Sequence, residues 1–272
     1  NIELSVWGGE LHGSGGFIPA QQVEAEIRQL VGDARRTRDF DRLPVPFRAV
    51  ATDLKSSTMV VLGEGDLAEA MRASMAVPGL FAPVSRGDQV LVDGGMIRNL
   101  PVDVARDLCA DVVIAVAVQV PAPEVEELQS LFTTAGRSID VVTEANEKAQ
   151  LATLGPRDVP IVVPIGEIRA VDFDRVMETI PLGEASARSM ADRLSRYALP
   201  EAEYREWRAR LTRPAASPVE IASIEFRPLR HASADYLATR LQTRVGDRVT
   251  PVELEADMSR VFASGDFQRV DY

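Results

Sequence analysis

The chain has 272 residues, 46% of them hydrophobic, with 30 basic side chains against 41 acidic ones and a net charge of -11. That acidity argues against nucleic acid as a partner, because such a surface repels phosphates, and no apolar run approaches the roughly 20 residues of a membrane-crossing helix. Cys109 is the only cysteine, and His12 and His231 have no second histidine or cysteine at ligand spacing, so neither a disulfide, a metal site nor a cofactor is expected.

The first helical pattern runs from Pro19 to Ala34, with Val23, Ile27, Leu30 and Val31 on one face. Phe47 to Thr52 reads as a buried strand, and Asp66 to Met75 as a helix that ends before Pro78. Val90 to Val92 is a short strand, Val102 to Leu108 a helix, and Asp111 to Val120 an apolar strand of the kind covered on both faces. Cys109, at the end of that helix, reads as a packed thiol. A long helical stretch follows from Val125 to Leu154. Val159 to Val163 is then a strand whose Pro160 suggests an edge. Gly183 to Ala198 is helical, with Ala187, Met190, Leu194 and Tyr197 in phase, and Glu201 to Leu211 closes this part. The alternation predicts an α/β fold with a parallel or mixed sheet.

Within this pattern the most informative run is Leu91-Val92-Asp93-Gly94-Gly95-Met96-Ile97-Arg98-Asn99-Leu100-Pro101. It places a carboxylate between a β-branched strand and two glycines that open a turn. Asp-Gly is common in plain hairpin turns. A carboxylate at a strand end, however, is held by the sheet while the following loop leaves it accessible.

Two further blocks precede this run: Pro46-Phe47-Arg48-Ala49-Val50-Ala51-Thr52-Asp53-Leu54, and the stretch from Ala70 to Pro83. Their order and spacing resemble the bacterial patatin-like phospholipases, over about Phe40 to Leu211. The resemblance implies a three-layer α/β fold with helices on both faces of the sheet and a serine-aspartate dyad that cleaves lipid esters. Asp93 is then the dyad aspartate, with Gly94, Gly95 and Asn99 as supporting motif residues. Met75, Val77, Leu80 and Phe81 are candidates for an apolar acyl wall. A histidine triad is not expected, since the core offers no histidine near Asp93.

The family also has a glycine-rich oxyanion loop and a Gly-x-Ser-x-Gly nucleophile elbow upstream of the aspartate, and neither is in this chain. Ser14 lacks the glycine two positions before it, Ser138 lacks the closing glycine, and Ser74 sits in Arg72-Ala73-Ser74-Met75. The chain is therefore expected to supply the aspartate half of a phospholipase A or esterase-type enzyme, with the nucleophile on a missing segment. By itself it should be inactive.

Thr212 to Pro218 has the composition of a linker, giving a patatin-like part over 1–211, a linker over 212–219 and a tail over 220–272. In the tail, Ile221 to Phe226 alternates as a strand. Helical patterns follow at Ser233 to Val245 and Val252 to Ala263, then a turn at Gly265-Asp266-Phe267 and a strand at Gln268 to Tyr272. This order resembles a truncated POTRA module, a small α+β domain. The combination resembles a type V secretion phospholipase at the cell surface or outer membrane of a Gram-negative bacterium, with the POTRA-like part periplasmic and an outer-membrane barrel downstream. The partners implied are a phospholipid or other lipid ester, the missing nucleophile segment and that barrel, with self-association left open. The competing reading is a non-catalytic secretion or interaction module whose tail binds extended segments by strand addition.

Overall fold

A computed structural model describes residues 4–7, 10–13, 16–18, 20–120, 131–169, 172–211, 218–226, 233–264, 267, 270 and 272. The elements begin with β1 (Leu4–Trp7), β2 (Glu10–Gly13), β3 (Gly16–Ile18), α1 (Ala20–Val31), β4 (Ala49–Asp53), β5 (Thr58–Leu62) and α2 (Leu67–Ser74). Next come β6 (Gly79–Phe81), β7 (Val84–Arg86), β8 (Gln89–Asp93), α3 (Gly95–Arg98), α4 (Val102–Asp107), β9 (Ile114–Gln119) and α5 (Leu131–Leu151). After these lie β10 (Val159–Pro164), α6 (Thr179–Ser189), α7 (Ala191–Leu194) and α8 (Glu201–Leu211). The tail holds β11 (Val219–Glu220), α9 (Ala234–Arg240), β12 (Arg248–Val249) and α10 (Pro251–Phe262). The architecture is mixed α/β, as the alternating pattern predicts, and the largest sheet among the described residues has four strands.

The chain divides into two compact units, one of them comprising Asn1–Ala49, Leu62–Val92 and Arg208–Tyr272. In this unit β1 and β2 pair antiparallel, β3 runs parallel to β6 with Ile18 opposite Phe81, and β7 pairs antiparallel with β8. Helix α1 is not buried on the stripe its periodicity predicts. Leu30 is 82% exposed, whereas Glu24 and Arg28 are buried with Ile27. The reason is a buried ionic contact with α2: Glu24 receives Arg28 at 2.6 Å through one oxygen and Arg72 at 3.2 Å through the other. Two cations on one carboxylate make its burial tolerable. Asp66 caps α2 by accepting from the Glu69 N–H at 3.0 Å, and Ala68, Ala70 and Ala73 let it pack closely.

The tail belongs to this same unit, its helices α9 and α10 meeting through Leu237, Leu241, Met258 and Val261. A capping box, Thr250 with Glu253, starts α10. The predicted strand Ile221 to Phe226 is irregular; the pairing occurs earlier, with Val219 opposite Val249. The helix predicted from Ser233 to Val245 stops at Arg240. Because β12 lies between the helices, the described order is strand, helix, strand, helix. Most of the predicted last strand, and the linker over 212–217, lie outside the described residues. The Arg35 guanidinium, just after α1, reaches Glu255 of α10 at 3.1 Å and stacks 4.0 Å above the Tyr272 ring.

The second unit comprises Val50–Val61 and Asp93–Trp207. Strands β4 and β5 are neighbours joined by a tight turn, in which Asp53 accepts from Lys55 N and Ser56 Oγ, and Ser57 adopts φ 57°. Strands β9 and β10 pair in parallel, with Pro160 opposite Ala115. Helices cover opposite faces of this pair. Leu100, Val102 and Leu151 pack on Ala115 and Ala117, while Leu182, Ala187, Met190 and Leu194 pack on Val159, Ile161 and Val163. Contrary to the apolar run's prediction, β9 is covered on one face only among the described residues: Ile114, Val116 and Val118 are each about half exposed. Tyr197 is also largely exposed, and its hydroxyl donates to the Arg157 carbonyl at 2.6 Å.

Candidate active site

Strand β8 ends in two fully buried residues, Leu91 and Val92, which hold Asp93 half-buried at the strand's end. Helix α3 starts two residues later. The two glycines are not present for an unusual backbone angle: Gly94 has an ordinary helical φ of -67°, and Gly95 is not in the left-handed region either. Their requirement is space. A Cβ on Gly94 would lie 2.2 Å from the Val50 carbonyl oxygen, and one on Gly95 2.8 Å from Asp93 Oδ1 and 3.0 Å from Asn99 Oδ1.

This compactness lets the Gly95 N–H donate to Asp93 Oδ1 at 2.6 Å. Among the described residues, Asp93 Oδ2 accepts no hydrogen bond. Burial pushes the Asp93 carboxyl above the usual aspartate range, and the Gly95 N–H pulls partly the other way. The result is a carboxylate with one oxygen fixed, one oxygen to offer and a raised proton affinity. Those are the properties of a general base.

Asn99 is exposed and serves as an anchor: its Nδ2 donates to Glu147 Oε2 at 2.6 Å, and its backbone N–H to Asn146 Oδ1 at 2.9 Å. Asn146 also donates to the Gly95 carbonyl at 2.9 Å, and Gln150 accepts from the Asp103 N–H at 3.1 Å. Asn146, Glu147 and Gln150 are the residues that sequence reasoning missed. The available signal was a run of polar side chains at spacings of one and four within an otherwise ordinary helix.

The remaining candidates are placed as follows. Met75 follows α2 and is 38% exposed, Val77 is half-buried in the next turn, and in β6 Leu80 is half-buried and Phe81 buried. Ser138 is exposed on α5 and donates to the Thr134 carbonyl, Ser74 ends α2, and His12 lies in β2. Ser14 and His231 lie outside the described residues. Cys109 is exposed rather than packed, because α4 ends at Asp107 and the chain turns out through a left-handed Cys109, φ 65°. Among the described residues, no cluster could hold a metal ion, and no helix is long and apolar enough to cross a membrane. Two cavities, of about 630 and 380 Å³, are lined by residues within 239–263 and within 184–198, and Asp93 lines neither. Arg240 and Arg260 in the first of them stand at helix C-termini, where cations answer the helix dipole.

Residues 3–106 match the family model for patatin-like phospholipases. The match takes in Asp93, Gly94, Gly95 and Asn99. An uncharacterized NTE family protein of Mycobacterium bovis is 36% identical over 103 residues, covering 38% of this chain and 28% of that protein. Another, from Mycobacterium tuberculosis, is 40% identical over 72 residues, 26% of this chain and 12% of the relative. Patatin-like phospholipase domain-containing protein 7 of Mus musculus is 41% identical over 85 residues, 30% of this chain and 6% of the relative. The chain thus spans 28% or less of the length of these relatives.

Proposed function

We propose that the protein to which this chain belongs hydrolyses carboxylic esters of lipids through a serine-aspartate dyad, with Asp93 as the base and the serine on a segment outside this chain. The observation that carries the reading is Asp93 itself, half-buried, oriented by Gly95 and left with one oxygen to accept a proton. The serine oxygen attacks the ester carbonyl as its proton passes to Asp93 Oδ2. The tetrahedral intermediate collapses, and the departing alcohol takes that proton back. Water then attacks the acyl-serine with Asp93 again as base, and Asp93 returns the proton to the serine oxygen as the fatty acid is released. Backbone N–H groups of a glycine-rich loop would hold the oxyanion, each contributing about 3–4 kcal/mol. Met75, Val77, Leu80 and Phe81 are proposed as the acyl wall, supported by their apolar character and by the partial exposure of the first three.

On the same reading residues 220–272 are a POTRA-like module, the intact protein is exported by a type V route, and this part lies in the periplasm ahead of an outer-membrane barrel. The two-helix core around Leu237 and Met258 supports a small α+β module. The absence of a Gly-x-Ser-x-Gly sequence from this chain is what favours the competing non-catalytic reading.

One experiment separates them. A fluorophosphonate probe should label a serine in the full-length protein, and Asp93→Asn should abolish both labelling and turnover of a phospholipid. This chain alone should hydrolyse nothing. An unlabelled full-length protein, or near-normal turnover with Asp93→Asn, defeats the hydrolase reading.

A further inference from the structure

Helix α5, which follows the Asp93 loop by about 50 residues, grips it at three successive points. Asn146 uses both ends of its amide: Nδ2 donates to the Gly95 carbonyl and Oδ1 accepts the Asn99 N–H, each at 2.9 Å. Glu147 takes the Asn99 side chain at 2.6 Å, and Gln150 takes the Asp103 N–H at 3.1 Å. Gly95 is therefore fixed on both sides, its N–H by the Asp93 carboxylate and its carbonyl by Asn146. The peptide that carries this N–H is also held by α3, the Gly94 carbonyl accepting from the Ile97 and Arg98 N–H groups at 3.0 and 2.7 Å, and Asn146 adds the hold on the next peptide plane.

We propose that Asn146 is a positioning residue for Asp93, fixing through Gly95 the direction in which the carboxylate presents its free oxygen. The catalytic part of this inference rests on the hydrolase reading above; the geometric part does not. The charges around the loop are engaged elsewhere. Arg98 pairs with Asp103 at 3.0 Å, and Glu147 is occupied by Asn99. The proton affinity of Asp93 accordingly follows from burial and the Gly95 N–H alone. Releasing Gly95 loosens the one contact that favours the ionised form, so the pKa of Asp93 must rise when Asn146 is lost.

The test is made on the full-length protein with carbon-13 in its aspartate carboxyl groups. In Asn146→Ala the Asp93 carboxyl should titrate at higher pH than in the wild type. The acid limb of kcat/KM should move the same way, and kcat should fall roughly 10- to 100-fold with KM little changed, as for a displaced catalytic group. Val142→Ala, at an exposed site on the same helix, should change none of these. If Asn146→Ala does not fold, Asn146→Ser replaces it: a serine is too short to span both the Gly95 carbonyl and the Asn99 N–H, and it should shift the Asp93 titration in the same direction. A lowered melting temperature with an unmoved Asp93 titration overturns the proposal, because a purely structural helix contact would behave so. A shifted titration in a protein whose turnover is indifferent to Asp93→Asn supports the positioning role and sinks the hydrolase reading instead.

Discussion

The carbonyl oxygen of Val50 lies 2.2 Å from the point where Gly94 would carry a Cβ, so strand β4 closes directly over the loop that presents Asp93. Gly94→Ala should therefore be among the most damaging single-methyl changes in the chain. The obstructing atom belongs to the backbone of a fully buried strand and cannot swing aside. A cost of at least about 3 kcal/mol is expected, at the upper end for overpacking. Chemical denaturation would measure it, and a loss under 1 kcal/mol would contradict the packing described.

Asp93 should lower stability at neutral pH. Its folded pKa is raised by burial above the unfolded value of about 3.9. The folded state therefore binds the proton more tightly, and the penalty is absent below that unfolded value and complete above the folded one. Asp93→Asn should raise the melting temperature at pH 7 and match the wild type near pH 3. Melting curves across that range check the sign; a variant less stable at pH 7 would show that the carboxylate is a structural asset.

Asp158 should act in the opposite direction. Its two oxygens accept the Val113 N–H at 2.8 Å and the Gly155 N–H at 2.7 Å, and with Arg106 these hold its pKa down at about 2. That stabilisation is fully present above the unfolded aspartate value of about 3.9, and is lost as pH falls through the folded one. Asp158→Asn should unfold at lower temperature than the wild type at pH 6, and the gap should close between about pH 4 and pH 2.

The contact between Arg35 and Glu255 joins the tail's α10 to the segment after α1, with Glu255 almost wholly buried. Arg35→Ala should destabilise the protein by roughly 2–3 kcal/mol, the low end for breaking a buried pair because Arg28 also faces Glu255. Adding Glu255→Gln should recover part of that loss by removing the stranded charge. A double-mutant cycle reads the coupling; additive effects would mean that the pair contributes nothing.

Local chemistry made much of the fold legible in sequence. The helix predicted from Asp66, the strand predicted over Phe47 to Thr52 and the helix-strand alternation depend on neighbours within a turn or two, and the structure shows a helix at Leu67–Ser74 capped by Asp66 and a strand at Ala49–Asp53. The helix α1 was harder to read. Its periodicity put Leu30 inside, but Arg72, 48 positions after Glu24, made a charged face the better one to bury.

The amino-acid sequence by itself determined that a carboxylate would end a buried strand before two glycines, because β-branched residues and glycine impose that locally. Only the tertiary structure decided why the glycines are needed and what aims the carboxylate. Gly94 makes room for Val50, 44 positions earlier, and Gly95 is held by Asn146, 51 positions later. Contacts at that separation depend on how strands and helices pack, which short-range propensities do not encode.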